Sequence, residues 1–517
     1  MAGIGFTLKN LFRHDTLIDR TKAYAFSALV AAGPWISAVL TVNLFMLVAE
    51  WYIVSAAERF LFLITIVYAF VFSQILTAPW QFIITRYIAD KLFNKEYDYL
   101  QASFHGISKL LFLFSFIVVV IFFLNSPLPM YYKYLAGSLF FVLTHTWLIM
   151  VYLSAAKDYA SIARAFMLGG VLSLGAAVLL LHYPLRFAYH LQASNLLLAY
   201  LMGLVITYLL LLRTFYITFP FGNNLEYDFV RYLGKVPDLF WIGFFYTLGI
   251  WIDTILIWHS PYGGNIYETF RFSLLYDQAK FLAYLTIIPT AVLFLVYVET
   301  EFYDKFKKYF QAVRKKCTLG EIATEKGQLV QLVYRHIVYL LERQVVISIT
   351  VIVLTDQIFI GLGLSPALKD MFRITVLGAL CNAMLLVVIL LLLYFEARLE
   401  AFAAAVTFFA VNLIATFWFL PLGVTYFGVP LLIAALSAFI LALQLLNLYL
   451  RNLTYHAFSK QQFFLTADRG PMPRLADWLN AWQLRHAAKS HNGNGHGTCW
   501  AAIICHGVAL FCSCQRP

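Results

Sequence analysis

The chain has 517 residues, of which 62% are hydrophobic, 18% aromatic and only 12% charged, with a formal net charge of +11. A water-soluble domain carries about 25% charged residues, so no packed soluble core hides this much apolar surface and a polytopic membrane protein remains. The opening "MAGIGFTLKNLFRHDTLIDRTK" has no early apolar run ending in a small-residue site, so no cleavable signal peptide is expected.

A spanning helix needs about 20 mostly apolar residues. In chain order, twelve such stretches lie at 23–49, 60–80, 110–126, 134–155, 162–182, 193–212, 239–258, 278–298, 345–365, 374–394, 401–420 and 428–449. The third is the shortest. The first holds Gly33 and Pro34 near its middle, and proline inside a helix removes a hydrogen bond and crowds the preceding turn. Such an interruption lets a membrane helix bend towards a cavity, so Gly33 and Pro34 are candidate hinges. Pro289 in the eighth span is a third. In the fourth span His145 stands between Thr144 and Thr146, placed either to relay protons or bond a sugar hydroxyl, or to tie two helices together. Gly169, Gly170 and Gly175 in the fifth predict close helix packing.

Ionisable groups inside a span cost about 2.5–3.5 kcal/mol at the bilayer centre and usually face a cavity or a partner. Asp253 lies two-thirds along the seventh span and Asp356 near the middle of the ninth, so both are candidate proton- or cation-coupling sites. Lys280, at the start of the eighth span, stands three residues after Asp277 and pairs with it on one helix face, or else reaches Asp253 on the neighbouring helix. Intramembrane amides (Asn43, Gln74, Asn195, Asn382, Asn412, Gln444) occur in both halves, and Trp35, Trp80, Trp147, Trp241 and Trp251 offer ring faces to sugars or to the membrane interface.

Thirty of the 37 Lys and Arg residues fall in the terminal and loop segments that share a side with the N-terminus, which sets that side as cytoplasmic, with both termini inside. Topology therefore accounts for the positive charge, and no nucleic-acid partner is implied. The spans divide into an N-terminal lobe (1–212), a cytoplasmic loop (213–238) and a C-terminal lobe (239–460) with a cytoplasmic amphipathic insertion at 299–344. The insertion reads as two surface-lying helices split near Thr318–Gly320, suited to a cytoplasmic partner or to anionic lipid. "APWQFIITRYIADKLF" after the second span rhymes with "IIPTAVLFLVYVETEFYDKF" in the eighth, each with a proline and an Asp-Lys pair (Asp90-Lys91, Asp304-Lys305). Two six-helix halves related by an axis along the membrane normal are a common transporter plan. The tail 461–517 reads as a disordered cytoplasmic extension; its Cys and His residues lack zinc-site spacing, so no metal is expected.

"MAGIGFTLKNLF", "AGPW" in the first span, "TRYIADKLF" after the second and "GIWIDTILIW" in the seventh together resemble the Pel exopolysaccharide membrane transporter family, PelG, over about residues 1–460. That family belongs to the superfamily of multidrug extruders and lipid-linked oligosaccharide flippases. The resemblance implies an all-α, MATE-like transporter in the bacterial inner membrane. It implies an exporter that moves the polysaccharide of a biofilm matrix to the periplasm, beside a cytoplasmic glycosyltransferase and a cyclic-di-GMP-sensing membrane partner. A flippase of lipid-linked oligosaccharides, a cation-coupled small-molecule extruder and a non-transporting scaffold of a synthase complex stay open. A membrane enzyme that joins glycans is disfavoured, because the outer loops are short and no acidic pair stands in a soluble loop. There is no phosphate-binding G-x-x-x-x-G-K-[ST] and no H-E-x-x-H, so neither a nucleotide cofactor nor a catalytic metal is expected.

Overall fold

Long apolar runs inside a membrane have one local way to satisfy their backbone hydrogen bonds, which is to coil. The computed structural model describes residues 17–53, 55–156, 158–183, 191–220, 222, 225–315, 317–363, 365–459 and 470–492, and it is almost entirely helical. In the first half, α1 is Leu17–Tyr52, α2 Ala56–Phe93, α3 Asp98–Phe123, α4 Met130–Ala155, α5 Tyr159–His182 and α6 Ala193–Thr218. A short α7 (Val230–Lys235) leads into α8 (Pro237–Trp258), followed by a hairpin of β1 (Gly264–Ile266) and β2 (Phe270–Phe272). Then come α9 (Leu274–Leu285), α10 (Ile288–Tyr297), α11 (Tyr303–Arg314), α12 (Leu319–Val353) and α13 (Thr355–Leu362). The chain closes with α14 (Lys369–Tyr394), α15 (Arg398–Phe419), α16 (Val429–Arg451), α17 (Leu453–Ser459) and α18 (Pro471–Asn492). Among the described residues eleven helical segments are long and apolar enough to cross a membrane, counting α9 with α10, and Ile36–Tyr52 of α1 adds a shorter apolar stretch.

The helices pack by one pattern used twice. Helix α1 lies on α5 as α8 lies on α15; α2 lies on α4 as α9 lies on α14; α5 and α6 pair as α15 and α16 do; and α4 meets α6 as α14 meets α16. The two sets join through α2 against α8 and α1 against α10, contacts that exchange under the same correspondence. Close approach in α5 depends on glycine: a Cβ on Gly169 would sit 1.9 Å from Thr207 Oγ1, and one on Gly203 2.3 Å from Ser173 Cβ. Gly175 faces open space and has no such role.

Four sequence expectations change here. The third span is not short, since α3 runs 26 residues from Asp98. The insertion is split where expected, with Thr318 and Glu321 forming a capping box that starts α12. However, α12 continues unbroken into the ninth span. Its apolar face (Ile322, Leu329, Val333, Leu340) and that of α11 (Tyr309, Val313) are buried in the second set of helices, so these helices do not float on a lipid surface. The ninth span ends at Val353, ahead of the expected 365, and a separate short helix follows. The tail is not wholly unstructured: α18 docks on α7. There Ala476 is fully buried, Asn480 Oδ1 accepts a bond from Tyr227 N at 2.9 Å and Asp477 pairs with Arg231 at 2.5 Å. The Cys/His-rich end after Asn492 lies outside the described residues.

Candidate functional site

The molecule has a basic end, which carries the α2–α3, α4–α5 and α14–α15 turns, and a hairpin end, which carries β1 and β2. A cavity of about 610 Å³ opens between the two sets of helices. Its walls include Pro34 and Ala38 of α1, Phe70 of α2, Thr146, Trp147 and Ser154 on one face of α4, Tyr159 and Phe166 of α5, Thr290, Ala291 and Phe294 of α10, and Ala383 and Tyr394 of α14. These residues run from the middle of α1 and α2 to the α4–α5 turn, so the cavity belongs to the basic half.

The hairpin end is shut by contacts between the two sets. Tyr68 of α2 stacks on Trp258 of α8 at 4.7 Å and meets the Phe270 edge at 5.0 Å, with Phe122 of α3 completing the cluster. The Tyr68 hydroxyl donates to Arg271 O at 2.7 Å and accepts from Arg271 N at 3.0 Å, so β2 is bonded to α2. Ser126 Oγ and Thr269 Oγ1 lie 2.7 Å apart at the hairpin tip. Deeper, Trp251 Nε1 of α8 donates to Gln74 Oε1 of α2 at 3.2 Å. Two of the intramembrane residues singled out in the sequence thus meet across the junction.

Of the hinge candidates, Gly33 and Pro34 sit inside continuous α1, with Gly33 buried and Pro34 on the cavity wall. Pro289 marks a true break. Its ring excludes the carbonyl four residues earlier, so α9 ends at Leu285 and α10 begins at Ile288. A buried side chain from α12 satisfies the break: Gln344 Nε2 donates to Thr286 O at 3.3 Å, and Gln344 Oε1 accepts from Thr290 Oγ1. Gln344 escaped the sequence reading because it follows Glu342-Arg343 and reads as the charged edge of the insertion.

Asp253 is wholly buried, and Lys280 takes the longer-range partner. Lys280 Nζ donates to Asp253 Oδ1 at 2.7 Å, to Thr254 Oγ1 at 2.9 Å and to Ile250 O at 2.5 Å. Tyr276 OH donates to Asp253 Oδ2, and Thr254 N to Oδ1 at 2.8 Å. Asp277 is occupied otherwise, accepting from Trp258 Nε1 at 2.9 Å and from Ser273 N at the start of α9. The network fastens α9 to α8 and contributes nothing to the cavity wall.

His145 is likewise off the wall: its Nδ1 bonds Phe141 O at 2.8 Å and its Nε2 bonds Ser108 O at 3.2 Å, tying α4 to α3. Asp356 differs most from expectation. It stands in the first turn of α13, beyond the ninth span, with its side chain 52% exposed and paired with Lys369 at 2.5 Å and Arg373 at 3.5 Å. The Lys369 hydrogen bond, with its charge, holds this carboxyl below the usual range. The sequence did not reveal that the helix stops at Leu354.

The Asp90-Lys91 motif serves the basic end. Lys91 pairs with Asp228 of the inter-lobe segment at 3.2 Å, and Asp90 accepts from Tyr232 OH at 3.0 Å. Arg86 pairs with Glu396 of the α14–α15 turn across the junction. In the matching Asp304-Lys305 pair, Lys305 reaches Gln328 within the insertion. Among the described residues no cluster of metal-ligating side chains occurs.

Two matched sets of six helices around a one-sided cavity define a polytopic transporter fold. The chain matches the family described as "PelG: Putative exopolysaccharide Exporter (EPS-E)" over residues 1–458, and it belongs to that family, which is one of exporters and not of enzymes. No curated protein matches it by sequence. It is similar in structure to a multidrug resistance MATE family transporter of the MOP superfamily in an outward-facing conformation, with TM-score 0.56 and 14% identity, over 87% of this chain and 98% of that one. A MOP superfamily transporter from Pyrococcus furiosus gives 0.53 and 12%, over 86% and 98%. The lipid II flippase MurJ, in an inward closed conformation, gives 0.51 and 11%, over 90% and 100%. At these identities the likeness establishes the fold.

Proposed function

We propose that this chain moves an exopolysaccharide, of the Pel type, from the cytoplasmic to the periplasmic side of a bacterial inner membrane, with the basic end cytoplasmic. In this reading lobes 1–212 and 239–460 rock about the α2–α8 and α1–α10 contacts, with Gly33-Pro34 and the break at Pro289 as flexing points. The observation that carries it is the cavity between the lobes: it lies in the basic half, while the hairpin cluster joins the two lobes at the opposite end. Access from one side at a time is what a rocking transporter needs. A cytoplasmic glycosyltransferase and a cyclic-di-GMP-sensing partner would meet the basic end, where the α11–α12 insertion and the inter-lobe segment project. Asp253 and Lys280 act in this reading as a fixed fastening of α9 and not as a coupling site, because every polar atom of the pair is engaged.

The test is a reversible lock. Ser126→Cys with Thr269→Cys places two thiols where hydroxyls now lie 2.7 Å apart. Oxidation of cells carrying the double variant is expected to stop polysaccharide secretion at unchanged membrane levels, and reductant to restore it; each single variant secretes normally. Unaltered secretion by the cross-linked chain would reject translocation through the junction and leave the scaffold reading.

A further inference from the structure

We propose that the inter-lobe cavity is a binding site for an uncharged sugar chain, gripped by aromatic faces and selective against charge of either sign. The inference rests on the export reading and adds the chemical class of what the cavity takes. Six aromatic side chains from five elements reach its wall: Phe70, Trp147, Tyr159, Phe166, Phe294 and Tyr394. Among the described residues no Asp, Glu, Lys, Arg or His lines it. The charged groups buried nearby in the C-terminal lobe, Asp253 and Lys280, neutralise each other and lie off the wall.

Three of the polar side chains on the wall are already used within the protein. Thr146 Oγ1 donates to Val142 O at 2.7 Å, Thr290 Oγ1 donates to Gln344, and Trp147 Nε1 donates to Ser73 Oγ at 3.0 Å. Trp147 therefore offers its ring and not its N–H. The wall presents mainly aromatic and aliphatic faces, which suit the C–H-rich faces of sugar rings stacked on aromatics. A cationic or anionic unit entering here would lose hydration without gaining a counter-charge, a cost of several kcal/mol in a low-dielectric setting. Weak, repeated stacking also lets successive units pass, since a site that holds each unit tightly impedes conduction.

The experiment uses the full chain in lipid nanodiscs and measures affinity for three probes: chitohexaose, which is neutral; its fully deacetylated counterpart, which is cationic; and oligogalacturonate, which is anionic. Chitohexaose is expected to bind at least about tenfold more tightly than either charged probe. Ser154→Asp, at the basic end of the cavity, places a carboxylate on the wall. It is expected to raise affinity for the cationic probe about tenfold while leaving chitohexaose within about twofold, a gain that misfolding cannot mimic. If a charged probe binds the parent chain as well as chitohexaose does, the charge selectivity is wrong while the export reading stands. If no probe binds and Ser154→Asp creates no binding, the cavity is not a glycan site and both readings fall.

Discussion

Lys280 and Asp253 are the only pair of opposite full charges that the described residues bury almost completely, and their value depends on each other. Removing one partner of a buried pair costs about 3–5 kcal/mol because the other charge stays behind, whereas replacing both by neutral groups is often close to neutral. Lys280→Met is therefore expected to lower the thermal unfolding midpoint markedly, and Asp253→Asn/Lys280→Met to recover most of the loss. If the pair is a fastening, the double variant also recovers secretion. A double variant that is stable yet secretes nothing would show that charge at this site drives transport. Asp253 was identifiable as an unusual intramembrane acid from the sequence alone. Its partner was not decidable there, because Asp277 stands closer in sequence. Only the packing of α8 on α9, with Trp258 and Ser273 claiming Asp277, settles the choice.

At the level of elements, the break between α9 and α10 is the clearest departure from a continuous span, and Gln344 bonds the Thr286 carbonyl in the turn between the two helices. Leaving a buried carbonyl unpaired costs about 1–3 kcal/mol. Gln344→Leu is expected to destabilise the purified protein by that amount. In a Pro289→Ala background, where α9 and α10 can join and Thr286 O can regain a helical partner, the cost of Gln344→Leu is expected to shrink to less than half. Equal costs in both backgrounds, read from unfolding curves, would show that Gln344 does not serve the break. The proline was visible in the sequence, and its twin Pro79 was too, yet Pro79 lies within unbroken α2. A proline reports only that a hydrogen bond is missing; whether the helix bends or parts depends on what a neighbouring helix offers to the freed carbonyl. The β1–β2 hairpin was invisible for a related reason. Its tip places Tyr267 and Glu268 at φ of 49° and 51°, where a sequence reading looks for Asn or Gly. Helix α18 was missed because its composition is polar and its docked face is small, centred on Ala476 and Asn480.

For the molecule as a whole, the spans and their division into halves were legible because apolar length is a strong signal, while the closure between halves was not, since it is made by single side chains from distant segments. In the proposed rocking mechanism, that closure sets how the resting population is divided. The cluster of Tyr68, Phe122, Trp258 and Phe270 joins the two lobes at the hairpin end, so its energy belongs to the state closed there and to no state in which the lobes part. Phe62 is equally buried but stacks on Phe45 within one lobe, so its energy is common to both states. Replacing a buried Phe by Ala costs about 3–5 kcal/mol in either place. Only a difference between states shifts a population, however. Ala291→Cys on the cavity wall reports the outcome through its reaction with a membrane-impermeant thiol reagent supplied at the basic end. In the parent chain labelling is expected to be fast. Adding Phe270→Ala is expected to slow it at least about tenfold as the population moves to the state open at the hairpin end, whereas adding Phe62→Ala leaves the rate unchanged despite a similar loss of thermal stability. If Phe270→Ala and Phe62→Ala act alike, the hairpin cluster is ordinary packing and the two lobes do not exchange access about it.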